Sequence, residues 1–235
     1  MATIYAVGVG PGDPELLTRK AERILRSADV ILAPVSAPTE ASVALATIRE
    51  FLDESRQEVI VHQFPMTSDK ARVLPAWQKA AALMAVRAEA GKDVAFVTIG
   101  DPLLYSTFIY LLGILREICP NTPIEIVPGI SSINASAAQA GIPLVEGDGK
   151  MAVIPATAGL DKIAEALARF ETVVLLKVKP LYGDILELIR QTGRQQGTLF
   201  VERVGSSRQK VLTDFAEITA HAPDYLSLMI IKSSR

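Results

Sequence analysis

Three apolar, β-branched runs each end in a turn built from glycine, proline and aspartate or serine: VGVGPGDPELLT from Val7, VTIGDPLLYS from Val97 and IVPGISSINAS from Ile126. Open α/β sheets place their ligand crevices at the carboxyl ends of strands. A chain with three such transitions is therefore constrained towards an α/β sheet with its chemistry along one edge. Strand-like and helix-like segments alternate through the rest of the sequence, which favours a sheet that is largely parallel.

The periodicity predicts a strand over Thr3 to Val9 and a helix capped by Thr18 and running to Ser27, with Ala21, Ile24, Leu25 and Ala28 at helical spacing. Val30 to Leu32 is expected as a short strand, Glu40 to Leu52 as helix and Glu58 to Val61 as strand. An alanine-rich helix follows from Pro75 to Ala90, ended by Gly91. Asp93 to Ile99 returns as strand, Leu103 to Ile118 as an apolar helix, Ile124 to Val127 as strand and Ser131 to Ala140 as a helix of small residues. The stretch IPLVEGDGKMAVIPAT is expected as a loop. Beyond it, Thr172 to Val178, Thr198 to Val201, Gln209 to Thr213 and Leu226 to Ile231 are expected as strands, with helices over Leu160 to Arg169 and Leu181 to Thr192.

A chain of 235 residues accommodates one large α/β domain or two of about 110 to 120 residues. Two is the reading adopted, residues 1–128 and 129–235. Hydrophobic residues make up 49% and charged residues 21%, enough apolar content to fill both cores. The net charge of −2 and the lack of any basic block argue against nucleic acid or an anionic membrane as partner. No signal-like N-terminus and no apolar run of about 18 residues is present, which points to a cytoplasmic protein. Cys119 stands alone and is expected to be an inert thiol. His62 and His221 lack Cys or carboxylate neighbours at ligand spacing, so no protein-built metal site is expected.

The first loop superficially resembles a dinucleotide fingerprint, but Pro11 and Pro14 remove two backbone N–H groups that pyrophosphate would need. Asp13 and Glu15 add negative charge where a phosphate needs the opposite. A phosphate-free cofactor with a cationic reactive centre suits the loop better, and S-adenosylmethionine is the candidate. A tight turn with acids at a helix N-terminus is the plainer reading. In the second loop Gly100 permits a sharp turn, Pro102 can open the next helix, and Asp101 is either a site carboxylate or a helix N-cap. In the third, Gly129, Ser131 and Ser132 present a small surface to a ligand or to a neighbouring helix.

In order and spacing, these segments resemble the tetrapyrrole methylase family, the enzymes that methylate uroporphyrinogen and the corrin precursors. The resemblance covers essentially the whole chain. ADVILAPVS from Ala28, QFPMTSD from Gln63 and LLYSTFIYL after the GDP turn look like the branch that methylates carbon 20 of precorrin-2 or its cobalt complex. The resemblance implies two α/β domains with S-adenosylmethionine in a cleft between them, and a homodimer. Residue by residue it carries cofactor contact to Pro11, Ile99, Gly100, Asp101, Leu104, Ser131 and Ser132, and by spacing to Lys177 and Val204. Where uroporphyrinogen methylases end their second strand in Asp, this chain has Pro34, so their proton-handling residues are not transferred. Asp101, Tyr105 and Glu202 are possible bases by location. An acidic macrocycle needs cations, for which Lys70, Arg72, Lys177, Lys179, Arg203, Arg208 and Lys210 are candidates. The alternatives are methylation at another tetrapyrrole position and a non-catalytic S-adenosylmethionine-binding module.

Overall fold

The computed structural model describes residues 2–37, 41–67 and 69–233. They form two compact units, Met1–Ser131 and Ser132–Arg235, each a five-stranded sheet with helices.

In the first unit β1 (Ile4–Gly8), β2 (Val30–Val35), β3 (Glu58–Gln63), β4 (Val94–Thr98) and β5 (Ile124–Val127) lie in the order β3-β2-β4-β1-β5. Every pairing is parallel. The alternation of side chains along each strand splits its apolar residues between two cores. Ile4, Ala6, Leu32, Val94 and Phe96 pack under α3 (Lys70–Glu89) and α4 (Phe108–Ile118). Val7, Ile31, Ala33, Ala95 and Val97 pack under α1 (Arg19–Ser27) and α2 (Val43–Ile48).

The second unit runs α5 (Ser132–Ala140), β6 (Met151–Pro155), α6 (Leu160–Arg169), β7 (Thr172–Leu176), α7 (Tyr182–Gln191), β8 (Thr198–Glu202), β9 (Lys210–Leu212), α8 (Phe215–Ala220) and β10 (Ser227–Lys232). Its sheet order is β6-β7-β10-β8-β9. β6 and β7 are parallel, while β10 lies antiparallel to both β7 and β8. Ile163, Leu167, Ile185 and Ile189 of the helices close one face over Val173, Leu175, Phe200 and Met229.

Several boundaries differ from the sequence reading for identifiable reasons. β2 extends through Pro34 to Val35 because β4 pairs only with Val30 to Leu32, so the missing proline N–H costs no ladder bond there. α3 starts at Lys70, where Asp69 accepts the Ala71 N–H at 2.9 Å, and Pro75 sits inside the helix. The expected helix from Leu103 begins only at Phe108: Tyr105 has φ 53°, and the Ser106 hydroxyl takes the Phe108 N–H. Ser42, not residue 40, caps α2, and Glu40 lies outside the described residues. The stretch expected as loop contains β6, an edge strand held in place by its parallel pairing with β7. α8 also went unread.

Candidate active site

The three motif loops follow β1, β4 and β5, and those strands are neighbours with β1 in the middle. Their ends are level, Gly8 opposite Thr98 and Val7 opposite Val127. The topology thus gathers the three turns at one edge of the first sheet.

They join through glycine backbone. A Cβ on Gly8 would fall 2.6 Å from the Gly100 oxygen and 2.6 Å from the Gly129 nitrogen, and one on Gly129 would fall 2.1 Å from the Gly100 oxygen. No side chain fits at either position. Gly10 and Gly100 both have positive φ, 72° and 71°, and are bridged by a Gly100 N–H to Gly10 carbonyl bond of 2.8 Å. Asp101 ties the third loop in. One of its carboxylate oxygens accepts the Gly129 N–H at 3.1 Å and the other the Leu103 N–H at 2.8 Å. Its helix-capping alternative is therefore corrected to a loop clip, since α4 begins seven residues later.

Pro11 is buried beside Gly10, Ile99 is half-buried, and Leu104 stands 40% exposed on the turn after Asp101. Ser131 lies against the same turn, its Cα 3.9 Å from where a Gly100 Cβ would be. Ser132 opens α5 in the second unit. Asp13 accepts the Glu15 N–H at 2.9 Å and caps the single 3-10 turn Pro14–Leu16. The first loop thus offers carbonyls and a carboxylate, with its nearest helical turn already capped by an anion, and opposes a phosphate. A phosphate-free cation beside apolar Ile99 and Leu104 fits this set.

In the second unit β7 and β8 run the same way, both antiparallel to β10. Lys177 and Val204, which follow them, share one sheet edge, about two strand spacings or ~10 Å apart. Lys177 has φ 57° and Val204 is buried. Glu202 is also buried; its Oε2 accepts the Asp224 N–H at 2.7 Å and meets His221 Nε2 at 3.1 Å. Arg203 binds Asp224 through Nε at 2.7 Å and through a second guanidinium nitrogen at 2.5 Å. Burial pushes the Asp224 carboxyl up, but the Arg203 guanidinium and neighbouring N–H groups prevail and hold it below its usual value. Arg203 is thus corrected from a free substrate cation to half of an ion pair. His221 and Asp224 were missed because nothing in their spacing to Glu202 marks them as partners.

Lys70, Arg72, Lys179, Arg208 and Lys210 are exposed and Lys177 half-buried; none of the six makes an ion pair with another described residue. Lys70 opens α3, where the helix dipole disfavours a cation. His62 is buried with Nε2 3.0 Å from the Ala76 carbonyl, and burial lowers its pKa. It is a core residue. Cys119 is buried too, its thiol bonded to the Leu115 carbonyl and pushed up by burial. Among the described residues no group of His, Cys, Asp or Glu gathers to hold a metal, and no helix is long and apolar enough to cross a membrane.

Comparison with known proteins agrees with this architecture. The family description Tetrapyrrole (Corrin/Porphyrin) Methylases matches residues 3–219. Cobalt-precorrin-2 C(20)-methyltransferase of Salmonella typhimurium is 36% identical over 97% of this chain and 95% of its own length. Probable cobalt-precorrin-2 C(20)-methyltransferase of Methanocaldococcus jannaschii is 40% identical over 97% of this chain and 95% of its own. The crystal structure of uroporphyrin-III C-methyl transferase from Thermus thermophilus complexed with S-adenyl homocysteine superposes with a TM-score of 0.68 at 24% identity, covering 99% of this chain and 98% of that one. With the family's motifs lying on three adjacent strands of a matching fold, the chain belongs to the tetrapyrrole methylases.

Proposed function

We propose that this chain transfers a methyl group from S-adenosylmethionine to carbon 20 of precorrin-2, with the cobalt complex as the first candidate substrate, in corrin synthesis. It is a C-methyltransferase by family. The observation that carries the reading is the meeting of the Gly8, Gly100 and Gly129 turns on three neighbouring strands, in a form that disfavours phosphate. The preference for the cobalt complex rests on the names of the two relatives at 36% and 40% identity.

Gly10, Pro11, Ile99, Gly100, Asp101, Leu104 and Ser131 are the residues of the first unit proposed to hold the cofactor. Ser132, Lys177 and Val204 of the second are proposed by resemblance. When bound, S-adenosylmethionine supplies a methyl carbon made electrophilic by its sulfonium. The chain's own contribution is position: the glycine turns hold the cofactor-facing backbone rigid, and Asp101 keeps two loops in register. Fixing two reactants in line at about 3–3.5 Å can supply several kcal/mol of a barrier. Asp101 has both carboxylate oxygens engaged, and Glu202 is held by His221 and Asp224. Neither is assigned as a base. The working form is proposed to be a homodimer.

Incubation with isotopically labelled S-adenosylmethionine and precorrin-2, with and without cobalt, under anaerobic conditions tests this. The expected product carries one added methyl, located at carbon 20 by NMR, with faster turnover of the cobalt complex. Methylation at another ring position would replace the reading with the family's other chemistry. Binding of both ligands without transfer would reduce the chain to a binding module.

A further inference from the structure

From Pro102 to Leu115 the sequence carries no charged residue, yet its first part is not buried. Leu103 is 51% exposed, Leu104 40% and Tyr105 44%, one after another on the turn that follows β4 and the Asp101 clip. Apolar side chains scattered singly over a surface need no explanation, whereas a contiguous group marks a face that a ligand covers. Leu104 is already proposed to meet the cofactor. Leu103 and Tyr105, on either side of it, have no role in that account.

Tyr105 is displayed there against its own backbone preference. Its φ of 53° is left-handed, uncommon for any residue with a side chain and an outlier for one as bulky as tyrosine. Glycine or asparagine adopts that conformation with less strain. Strain of this kind persists only where the surroundings enforce it, and it concentrates at ligand sites. Here both ends of the turn are tied. Ahead of Tyr105, Asp101 accepts the Leu103 N–H at 2.8 Å through its carboxylate and the Leu104 N–H at 3.4 Å through its carbonyl. Behind it, the buried Ser106 hydroxyl meets the Thr98 hydroxyl of β4 at 3.2 Å and accepts the Phe108 N–H at 3.2 Å. The tyrosine ring joins neither apolar core of the first unit. A strained turn fixed from both sides thus presents an aromatic ring and a leucine beside the proposed cofactor loop.

The chemistry of the reaction selects the occupant. Methyl transfer requires the accepting carbon in line with the methyl group at about 3–3.5 Å. Part of any large ring being methylated must therefore lie against what surrounds the cofactor loops. A tetrapyrrole offers two broad apolar faces and a rim of carboxylates. The rim is excluded from an uncharged turn, where its charges would lose water without gaining a partner. A face is favoured: it takes the exposed apolar surface out of water, and an aromatic side chain stacks on it or meets it edge-on.

We propose that Leu103 and Tyr105 form the platform that supports one face of the macrocycle during transfer, with Tyr105 acting through its ring and not through its hydroxyl. The assignment rests on the tetrapyrrole substrate of the proposed function and names residues of this chain that position it.

The test uses the full chain, with methylation kinetics on the cobalt complex of precorrin-2, calorimetry with S-adenosylhomocysteine and thermal melts of the free protein. Tyr105→Asn is expected to raise the substrate KM about 10-fold or more, the range of an aromatic anchor, and Leu103→Ser about 3- to 10-fold. In both, kcat and the S-adenosylhomocysteine Kd should stay near wild type, the signature of a contact made equally in ground and transition states. The thermal midpoint of Tyr105→Asn should be no lower than that of wild type, because asparagine relieves the left-handed strain. Tyr105→Phe, which keeps the ring, should recover most of the KM lost in Tyr105→Asn. Four results overturn the platform while the proposed function stands: an unchanged KM in both variants; a cofactor Kd that rises with KM; a lowered midpoint in Tyr105→Asn, which would make the ring a structural support; or a fall in kcat of about 10²–10⁴ in Tyr105→Phe, which would give the hydroxyl a proton to move. A wild type that methylates no tetrapyrrole overturns the proposed function and the platform with it.

Discussion

At the scale of single residues, the site depends on atoms that are absent. Gly129 has the Gly100 carbonyl where a Cβ would stand, 2.1 Å away, and the obstructing atom is backbone that cannot rotate aside. Gly129→Ala is expected to cost at least the 1–3 kcal/mol of an overpacked core, visible as a lowered thermal midpoint, and to abolish S-adenosylhomocysteine binding by calorimetry. Asp101 makes a finer distinction. Asn can keep one accepting oxygen, but its amide must face the other backbone N–H, donor against donor. Asp101→Asn should therefore raise the cofactor Kd by about 5- to 10-fold, the effect of about 1 kcal/mol for one lost, partly exposed bond. If Asp101 were a general base, kcat would instead fall by about 10²–10⁴ with the cofactor Kd unchanged.

At the scale of elements, strands and glycine turns were legible because β-branched runs and Gly-Pro-Asp clusters have local causes. All five strands of the first sheet were foreseen, as was the Thr18 cap, whose hydroxyl accepts the Ala21 N–H at 3.1 Å. Elements fixed by tertiary partners were not. β6 is a strand because β7 pairs with it, and α4 starts late because Ser106 bonds Thr98 and Phe108 rather than letting the helix run on. The site was legible in the same degree: its glycines could be named from sequence, whereas the engagement of Arg203 by Asp224 could not. Tyr182, at the start of α7, shows what such packing does. Its hydroxyl donates to the Ile218 carbonyl of α8 at 2.7 Å, and burial, with nearby Glu202 adding to it, raises its pKa to about 12. The folded chain keeps this proton where the unfolded chain, with an ordinary value near 10, has lost it. The stabilisation is complete below about pH 10 and disappears as pH rises to about 12, on the order of 2–3 kcal/mol. Denaturant melts should show that fall in wild type, and a correspondingly smaller one in Tyr182→Phe.

For the whole molecule, the balance of charge sets how an acidic macrocycle must be held. A net charge of −2 gives no long-range attraction for a ring of carboxylates. Recognition is therefore proposed to fall to local cations that make no ion pair with another described residue: Lys70 and Arg72 in the first unit, Lys177, Lys179, Arg208 and Lys210 in the second. Arg203 is already engaged by Asp224, so Arg203→Ala should chiefly lower stability. It should also remove the contribution that Asp224, held below its usual pKa, makes above that value and loses as pH falls through the folded-state one. Arg208→Ala should leave the thermal midpoint unchanged and raise the substrate KM by about 3- to 10-fold, the loss of one exposed charge contact of about 1 kcal/mol. Because exposed pairs are screened beyond about 10 Å at 0.1 M salt, the substrate KM should climb with ionic strength while the Kd for S-adenosylhomocysteine, which we propose is held by glycine backbone, stays flat. A titration of both constants from low to high salt, in wild type and Arg208→Ala, checks this. A cofactor Kd that climbs in step with KM would place the cations at the cofactor and not at the macrocycle.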